Sequence, residues 1–448
     1  MKRILILGAG HVAPPLIKYL LQQPELEVTV ASQQFSSQSM DLLSEIPHRV
    51  ELDVQDDEQL SRLLSTVDVT VSLLPFTFHP HVAHHCLRHS SHLVTTSYVS
   101  QDMQNLDVKA KEAGLVFLNE AGLDPGIDHM SAMALIDAIH DGQGTVKSFE
   151  SCCGGLPAPE SNDNPLGYKF SWSPRGVLMA TKNPARFRRH NHLIEVPSQD
   201  LFKHIRPREI NGVGELEMYP NRDSMVYKDL YRLKESETLF RGTLRYPGWC
   251  QTMNFLTQMG FLDETLISDA GIRTYRQLTG HLLGLATDDD PEKAILKRFN
   301  IDTSLRLWEC LCWLGILEDK PLFSYPVSPL QALTDIMLER MAYRPGERDM
   351  IVLQHDIIYA KPAEKDQHIR SLLVLTGEAG KESAMARTVG LPAAVAAHLI
   401  ALGEINIPGV LIPTEKAIYK PILNKLRPLG ITFKETLYQN GVSHASDR

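Results

Sequence analysis

The first 125 residues alternate short aliphatic runs with polar, amphipathic stretches. Residues 3–7 (RILIL) hold four consecutive aliphatics, the pattern of a strand buried on both faces. Further strands are predicted at 27–31 (EVTVA), 50–54 (VELDV), 67–75 (VDVTVSLLP), 92–98 (HLVTTSY) and 115–122 (LVFLNEAG), with a polar helix from about residue 57. Six strands alternating with helices predict a complete doubly wound parallel sheet. Ligands of such sheets sit beyond the carboxyl ends of the strands. That rule marks Leu74-Pro75, Thr96-Ser97-Tyr98 and Leu123-Asp124-Pro125-Gly126 as site loops.

Beyond residue 126 the texture changes. A strand at 146–151 enters CCGGLPAPESNDNPLGYKFSWSPRG, which has too little alternation for regular structure and reads as a long ordered loop. Tyr168, Phe170 and Trp172 argue that it packs against something. Residues 239–249 return to a strand pattern, and 252–343 turn helical, with Trp308, Cys310, Trp313 and Leu314 as core candidates. Strands follow at 350–357 and 372–377. The apolar helical stretch 383–403, with Pro392 inside, reads as too short and interrupted to span a bilayer. The fold expected is α/β: a Rossmann-type doubly wound parallel sheet plus a second mixed α/β domain with a helical insertion. The boundaries drawn are 1–125 for the dinucleotide domain, 126–250 and 344–403 for the substrate domain, and 251–343 for the insertion. The tail 404–448 is expected to dock back on the first domain.

A chain of 448 residues is too long for one core. A formal charge of −9 and the lack of a basic aromatic stripe exclude a nucleic-acid partner, and no apolar run of about 18 residues points to a membrane. The sequence enters its first strand without a leader pattern, and its six cysteines are irregularly spaced, with Cys152 and Cys153 adjacent. Both features point to a reduced, cytoplasmic compartment.

The chemistry begins at GAGHVA, directly after the first strand. Gly8 permits the tight turn, Gly10 lets backbone approach a pyrophosphate, and Ala13 is the small residue where helix meets strand. The helix that follows is expected to aim unpaired N–H groups at the phosphates. Ser32, Gln33 and Gln34 stand where an acid would select NAD and an arginine NADP. With neither present, both cofactors are expected to be usable, with a lean to NADP. His81, His85 and His89 are spaced to share a helix face. No cysteine or acid joins them in the sequence, so they read as a solvated face and no metal is expected.

Seven blocks, TTSYVS, NEAGLDPGIDHM, CCGGLPAPESNDNPLGYKFSWSPRG, YPNRDS, RGTLRY, RDMIVLQH and SAMARTVGLP, occur in this order. Together they resemble the L-glutamate-forming saccharopine dehydrogenases, also called saccharopine reductases, over nearly the whole chain. The resemblance implies an NAD(P)-dependent oxidoreductase that interconverts saccharopine with L-2-aminoadipate 6-semialdehyde and L-glutamate. It implies a small-molecule substrate and a homodimer. It also implies arginine forks for the substrate carboxylates at Arg222 and Arg245, beside Thr243 and Leu244, with Ser97, Tyr98 and Asp124 completing the substrate site. Proton work falls to Asp124 first, then Tyr98, then Cys153. On the cofactor side it implies Gly8, Gly10, His11, Val12, Ser32, Asp53, Val54, Leu74, Thr96, Ser97, Leu123, Asp124, Pro125 and Trp172. Two rival readings are a carboxynorspermidine synthase-like imine reductase and a non-catalytic dinucleotide sensor.

Overall fold

The computed structural model describes residues 1–35, 46–269, 271–286, 289–379, 382–439 and 442–447. They form two compact units: 1–147 with 229–235 and 353–448, and 148–228 with 236–352.

The first unit is built on a parallel sheet. Its strands are β1 (Lys2–Ala9), β2 (Leu26–Phe35), β3 (His48–Glu51), β4 (Val69–Ser72), β5 (His92–Thr95) and β6 (Val116–Leu118). A seventh strand, Gly409–Leu411, comes from far down the chain and pairs with β6 in parallel, Val410 opposite Phe117. The order is therefore Gly409–Leu411, β6, β5, β4, β1, β2, β3, rather than six strands complete within 125 residues. β1 lies inside the sheet between β4 and β2, with Ile4 in register with both Val28 and Val69, and Ile4 to Leu7 are buried. Burial on both faces is why this segment reads as an unbroken aliphatic run.

One face of the sheet carries the helices Asp57–Leu64, His79–His89 and Asp107–Glu112, whose apolar stripes (Leu60, Leu64, Val82, Cys86, Ala110) join Leu5, Leu7 and Phe117 in one core. Helix Ala384–Ala401 packs against helix Ala13–Leu21 and against β1, β4 and β5. It is 18 residues long and apolar enough to cross a membrane by length and composition, which corrects the expectation that this stretch is too short. Yet 89% of it is buried, so its apolarity is that of a core helix. Gly390 makes the close crossing possible: a Cβ there would lie 2.6 Å from Val12 O and 3.3 Å from Leu16 Cβ.

The division of the chain differs from the one drawn at residues 125, 250 and 343. Helix Ile127–Asp141 stays in the first unit because it packs on helix Lys416–Leu426, where Tyr419 Oη donates to Asp137 Oδ2 at 2.6 Å. The excursion 229–235 is pinned to the same helix by Tyr231 on His129 and Arg232 on Asp137. The first unit also holds strand Gln367–Thr376, antiparallel to strand Lys434–Gln439.

In the second unit, β7 (Thr145–Pro157) runs straight through CCGGLP, so the first six residues of the expected loop are strand. These residues lack a period-2 pattern because nearly all of them are buried. β7 is parallel to β12 (Thr238–Arg245), which is antiparallel to β11 (Gly214–Pro220); β10 (Arg206–Ile210) continues the order, and β8 (Ala185–Arg189) branches off β12. The helices between Trp249 and Arg340 belong to this same unit. They are tied to the segment after β7 by Arg306 Nε to Pro165 O (3.0 Å), and Tyr343, just past the last of them, donates its Oη to Leu156 O of β7 (3.2 Å).

Candidate active site

β1 ends at the glycine turn. Gly8 has φ +100°, and a Cβ on it would press 3.4 Å from the Leu73 carbonyl carbon. The position is closed to side chains by conformation. Gly10 is the opposite case, with no atom within 4 Å of its Cβ position. The turn is thus tight where strands meet and open where a pyrophosphate would lie. The helix behind it departs from expectation. Ala13 N–H already donates to Gly10 O at 3.1 Å, and Pro14 and Pro15 carry no N–H. The backbone of the turn, rather than the first helical turn, must supply the donors for an anion.

Ser32, Gln33 and Gln34 lie within β2 and not beyond it, since the strand runs on to Phe35. Ser32 is buried and engaged: its Oγ accepts from Ala9 N at 3.3 Å and donates to Gln34 O. Gln33 and Gln34 are exposed. Asp53 caps its own loop through Gln55 N, and Val54 O receives His81 Nε2 at 3.1 Å.

At the carboxyl edge, two loops are laced together. Ala121 N donates to Thr95 O (3.0 Å) and Glu120 N to Ser97 O (3.1 Å). Glu120 Oε1 accepts from Val99 N at 3.0 Å, while its Oε2 meets His129 Nε2 at 2.7 Å. His129 Nδ1 lies 2.5 Å from Tyr231 Oη, and all three side chains are buried. Glu120 adopts φ +57°, a strained conformation for a non-glycine residue that its side-chain anchors hold in place. In this frame Tyr98 Oη donates to Asp124 Oδ1 at 3.1 Å, both groups half-buried. The next residue pair, Asp124-Pro125, is cis, and Gly126 sits so close to Gly122 that a Cβ would lie 2.0 Å from its carbonyl oxygen. Ser97 has its own support: His79 Nε2 lies 3.0 Å from Ser97 Oγ and His79 Nδ1 3.0 Å from Ser72 Oγ. Burial pushes the His79 imidazole down to about 4, so it stays neutral at working pH.

The second unit holds the arginines. Arg245, at the end of β12, is buried. Its guanidinium lies 4.8 Å from the Tyr168 ring and 5.7 Å from that of Trp249. Nη1 donates to Leu244 O at 2.8 Å, whereas Nε and the Trp249 indole N–H have no hydrogen-bond partner among the described residues. A buried cation with an unsatisfied donor is a place for an anionic ligand. Thr243 is in register with Cys153, and both Cys153 and Leu244 are buried. Arg222 is not brought to this spot. Arg245 stands opposite Glu217, whereas Arg222 lies beyond Pro220, the last residue of β11, just after Asn221 N bonds Arg241 O. Arg222 is exposed, with φ +53°. Trp172 is exposed too, while Tyr168 and Phe170 pack edge to face at 5.4 Å.

The sequence assigns no site role to His79, Glu120, His129, Tyr168 or Trp249, marking Tyr168 only as a packing residue. Glu120 and His129 were visible inside NEAGLDPGIDHM, but only their contacts reveal a relay. It also shows no acid beside the helix histidines, a reading the structure corrects: Asp57 Oδ1 lies 3.0 Å from His85 Nε2 and 3.3 Å from His81 Nε2. Asp57 comes from a different helix, 24 residues before His81, which no local spacing rule connects.

Comparison with known proteins agrees with this architecture. Residues 4–118 match the family model described as the saccharopine dehydrogenase NADP binding domain, and residues 122–431 that of the saccharopine dehydrogenase C-terminal domain. The saccharopine dehydrogenase [NADP(+), L-glutamate-forming] of Schizosaccharomyces pombe is 38% identical over 448 residues, covering 98% of this chain and 99% of that protein. The mitochondrial alpha-aminoadipic semialdehyde synthase of Bos taurus is 37% identical over 96% of this chain, matching 47% of its own length. The solved apo saccharopine dehydrogenase (L-Glu forming) of Saccharomyces cerevisiae superposes with a TM-score of 0.89 at 37% identity, over 98% of this chain and all of that one. With sheet, turn and both sequence halves in agreement, this chain belongs to the saccharopine dehydrogenase family.

Proposed function

We propose that the chain is an NADP-dependent, L-glutamate-forming saccharopine dehydrogenase, an oxidoreductase acting on a CH–NH donor in lysine metabolism. The observation that carries this reading is the Tyr98–Asp124 pair on the carboxyl edge of a dinucleotide-type parallel sheet, in a chain similar along its whole length to enzymes of that name. The first unit is assigned the cofactor and the second the substrate carboxylates.

The residues fit a dinucleotide, since Gly10 leaves its Cβ position open directly after a buried parallel strand. Gly8, Gly10, His11 and Val12 would hold the pyrophosphate. Ser32, Asp53 and Val54 would border the adenosine, and Leu74, Thr96, Ser97, Leu123, Asp124 and Pro125 the nicotinamide. When bound, NADP accepts a hydride. Saccharopine loses that hydride from the lysine-side carbon of its secondary amine, the nitrogen loses its proton, and the product is an imine. Water adds to the C=N bond, the C–N bond breaks, and glutamate leaves with the nitrogen. NADPH, a proton, the semialdehyde and glutamate balance NADP⁺, saccharopine and water.

Asp124 is assigned the proton transfers at nitrogen and water. Tyr98 Oη holds one carboxylate oxygen and so orients the other. Neutral His79 fixes the Ser97 hydroxyl, and Glu120 ties the Tyr98 loop to the Asp124 loop. Arg245, sheathed by Tyr168 and Trp249, offers a planar fork to one carboxylate. Arg222 is assigned a second carboxylate, and Cys153 ranks behind Asp124 and Tyr98 for proton work. Cytoplasmic residence, supported by the irregular spacing of the six cysteines, and a homodimer complete the reading.

Turnover of saccharopine with NADP⁺ tests it, with NADPH and glutamate expected in equal amounts. Asp124→Asn should lower kcat by about 10²–10⁴-fold while NADPH affinity holds. Absence of glutamate release by the folded wild-type chain overturns the assignment.

A further inference from the structure

Helix His79–His89 presents His81 and His85 one turn apart, and the start of helix Asp57–Leu64 brings Asp57 between them. The three ligand atoms, Asp57 Oδ1 and the two Nε2 atoms, all lie within 4.8 Å of one another. A Zn²⁺ ion binds imidazole nitrogen and carboxylate oxygen at about 2.0–2.2 Å, so two donors on a tetrahedron stand about 3.3–3.5 Å apart. The Asp57–His81 and Asp57–His85 separations, 3.3 and 3.0 Å, are close to that edge already. The rings meet edge-on, with centroids 4.9 Å apart and planes at 68°, so the two nitrogens can converge without stacking. His85 is buried, whereas the side chains of Asp57 and His81 are 72% and 36% exposed, which leaves a path for an ion and room for water.

We propose that Asp57, His81 and His85 form a three-ligand site for a divalent transition cation of the Zn²⁺ type, with water completing the coordination. Without an ion, each Nε2 is within hydrogen-bond reach of Asp57 or of Val54 O. Ligation needs the Nε2 lone pairs, so the ring protons move to Nδ1 and His81 gives up Val54 O. The site therefore links cation binding to the loop that carries Asp53 and Val54.

The test uses tag-free, chelator-stripped full-length protein. Titration with Co²⁺, read by its visible ligand-field bands, and with Zn²⁺ by calorimetry should each give one equivalent, with Zn²⁺ displacing Co²⁺. Asp57→Asn keeps the shape and removes the charge, and His81→Ala alters an exposed position. Each should weaken binding by more than the about tenfold that even an outer partner of a metal ligand costs. His89→Ala, which removes the histidine facing Ser61, should leave binding unchanged. Failure to bind one equivalent, or binding that survives Asp57→Asn and His81→Ala, overturns the proposal.

Discussion

His79 offers a measurement whose size follows from the structure. The ring is 2% exposed, between Ser72 Oγ and Ser97 Oγ at 3.0 Å on either side, and its burial moves it from 6.5 to about 4. The unfolded chain takes up this proton as pH falls below 6.5, and the folded chain does so only near 4. Stability from this group is therefore whole above 6.5 and is lost as pH falls from 6.5 toward 4. At about 1.36 kcal/mol per pH unit the full loss is about 3 kcal/mol, of which about 2 kcal/mol is gone by about pH 5. Burial lowers His85 and His92 as well, so wild-type acid sensitivity alone does not isolate the residue. The comparison is with His79→Gln, which keeps a donor and an acceptor but does not titrate. Urea unfolding of both proteins at about pH 7.5 and pH 5 should show the wild type losing about 2 kcal/mol more than the variant. Equal losses would refute the assignment of a neutral, buried imidazole and, with it, the support argued for Ser97.

Three further outcomes are expected. Arg245→Lys keeps a charge but loses the fork; at roughly 1.5–3 kcal/mol for a hydrogen bond to a charged group, saccharopine KM should rise about tenfold or more with NADP⁺ KM unchanged. Gly390→Ala drives a Cβ to 2.6 Å from Val12 O. Overpacking of about 1–3 kcal/mol should lower the melting temperature and, because Val12 closes the glycine turn, weaken NADPH binding in fluorescence titration. Gln33→Asp places a negative charge on the exposed end of β2. It should shift the NADP/NAD ratio of kcat/KM toward NAD, and an unchanged ratio would mean that the 2′ position is read elsewhere.

Where local chemistry and fold coincide, the sequence was enough by itself. The aliphatic runs of β1, β4 and β5 are strands because both of their faces are buried, and GAGHVA is a turn because Gly8 must take a positive φ. The blocks around Tyr98, Asp124 and Arg245 carried the family in the same way, since each is contiguous. Tertiary structure alone decided what depends on residues far apart. The seventh strand, Gly409–Leu411, closes an edge whose neighbour lies some 290 positions earlier, and no periodicity in a three-residue strand announces its partner. CCGGLP is strand because β7 is covered, which erases the alternation that marks a half-exposed strand. Glu120 supports Tyr98 through Val99 N and Ser97 O, and Arg245 lies within β12 whereas Arg222 lies past the end of β11 at Pro220. Asp57 joins His81 and His85 because two helices lie side by side on one face of the sheet. Charge and spacing are written along the chain, but hydrogen bonds and ligand sets form across it, where packing chooses the neighbours.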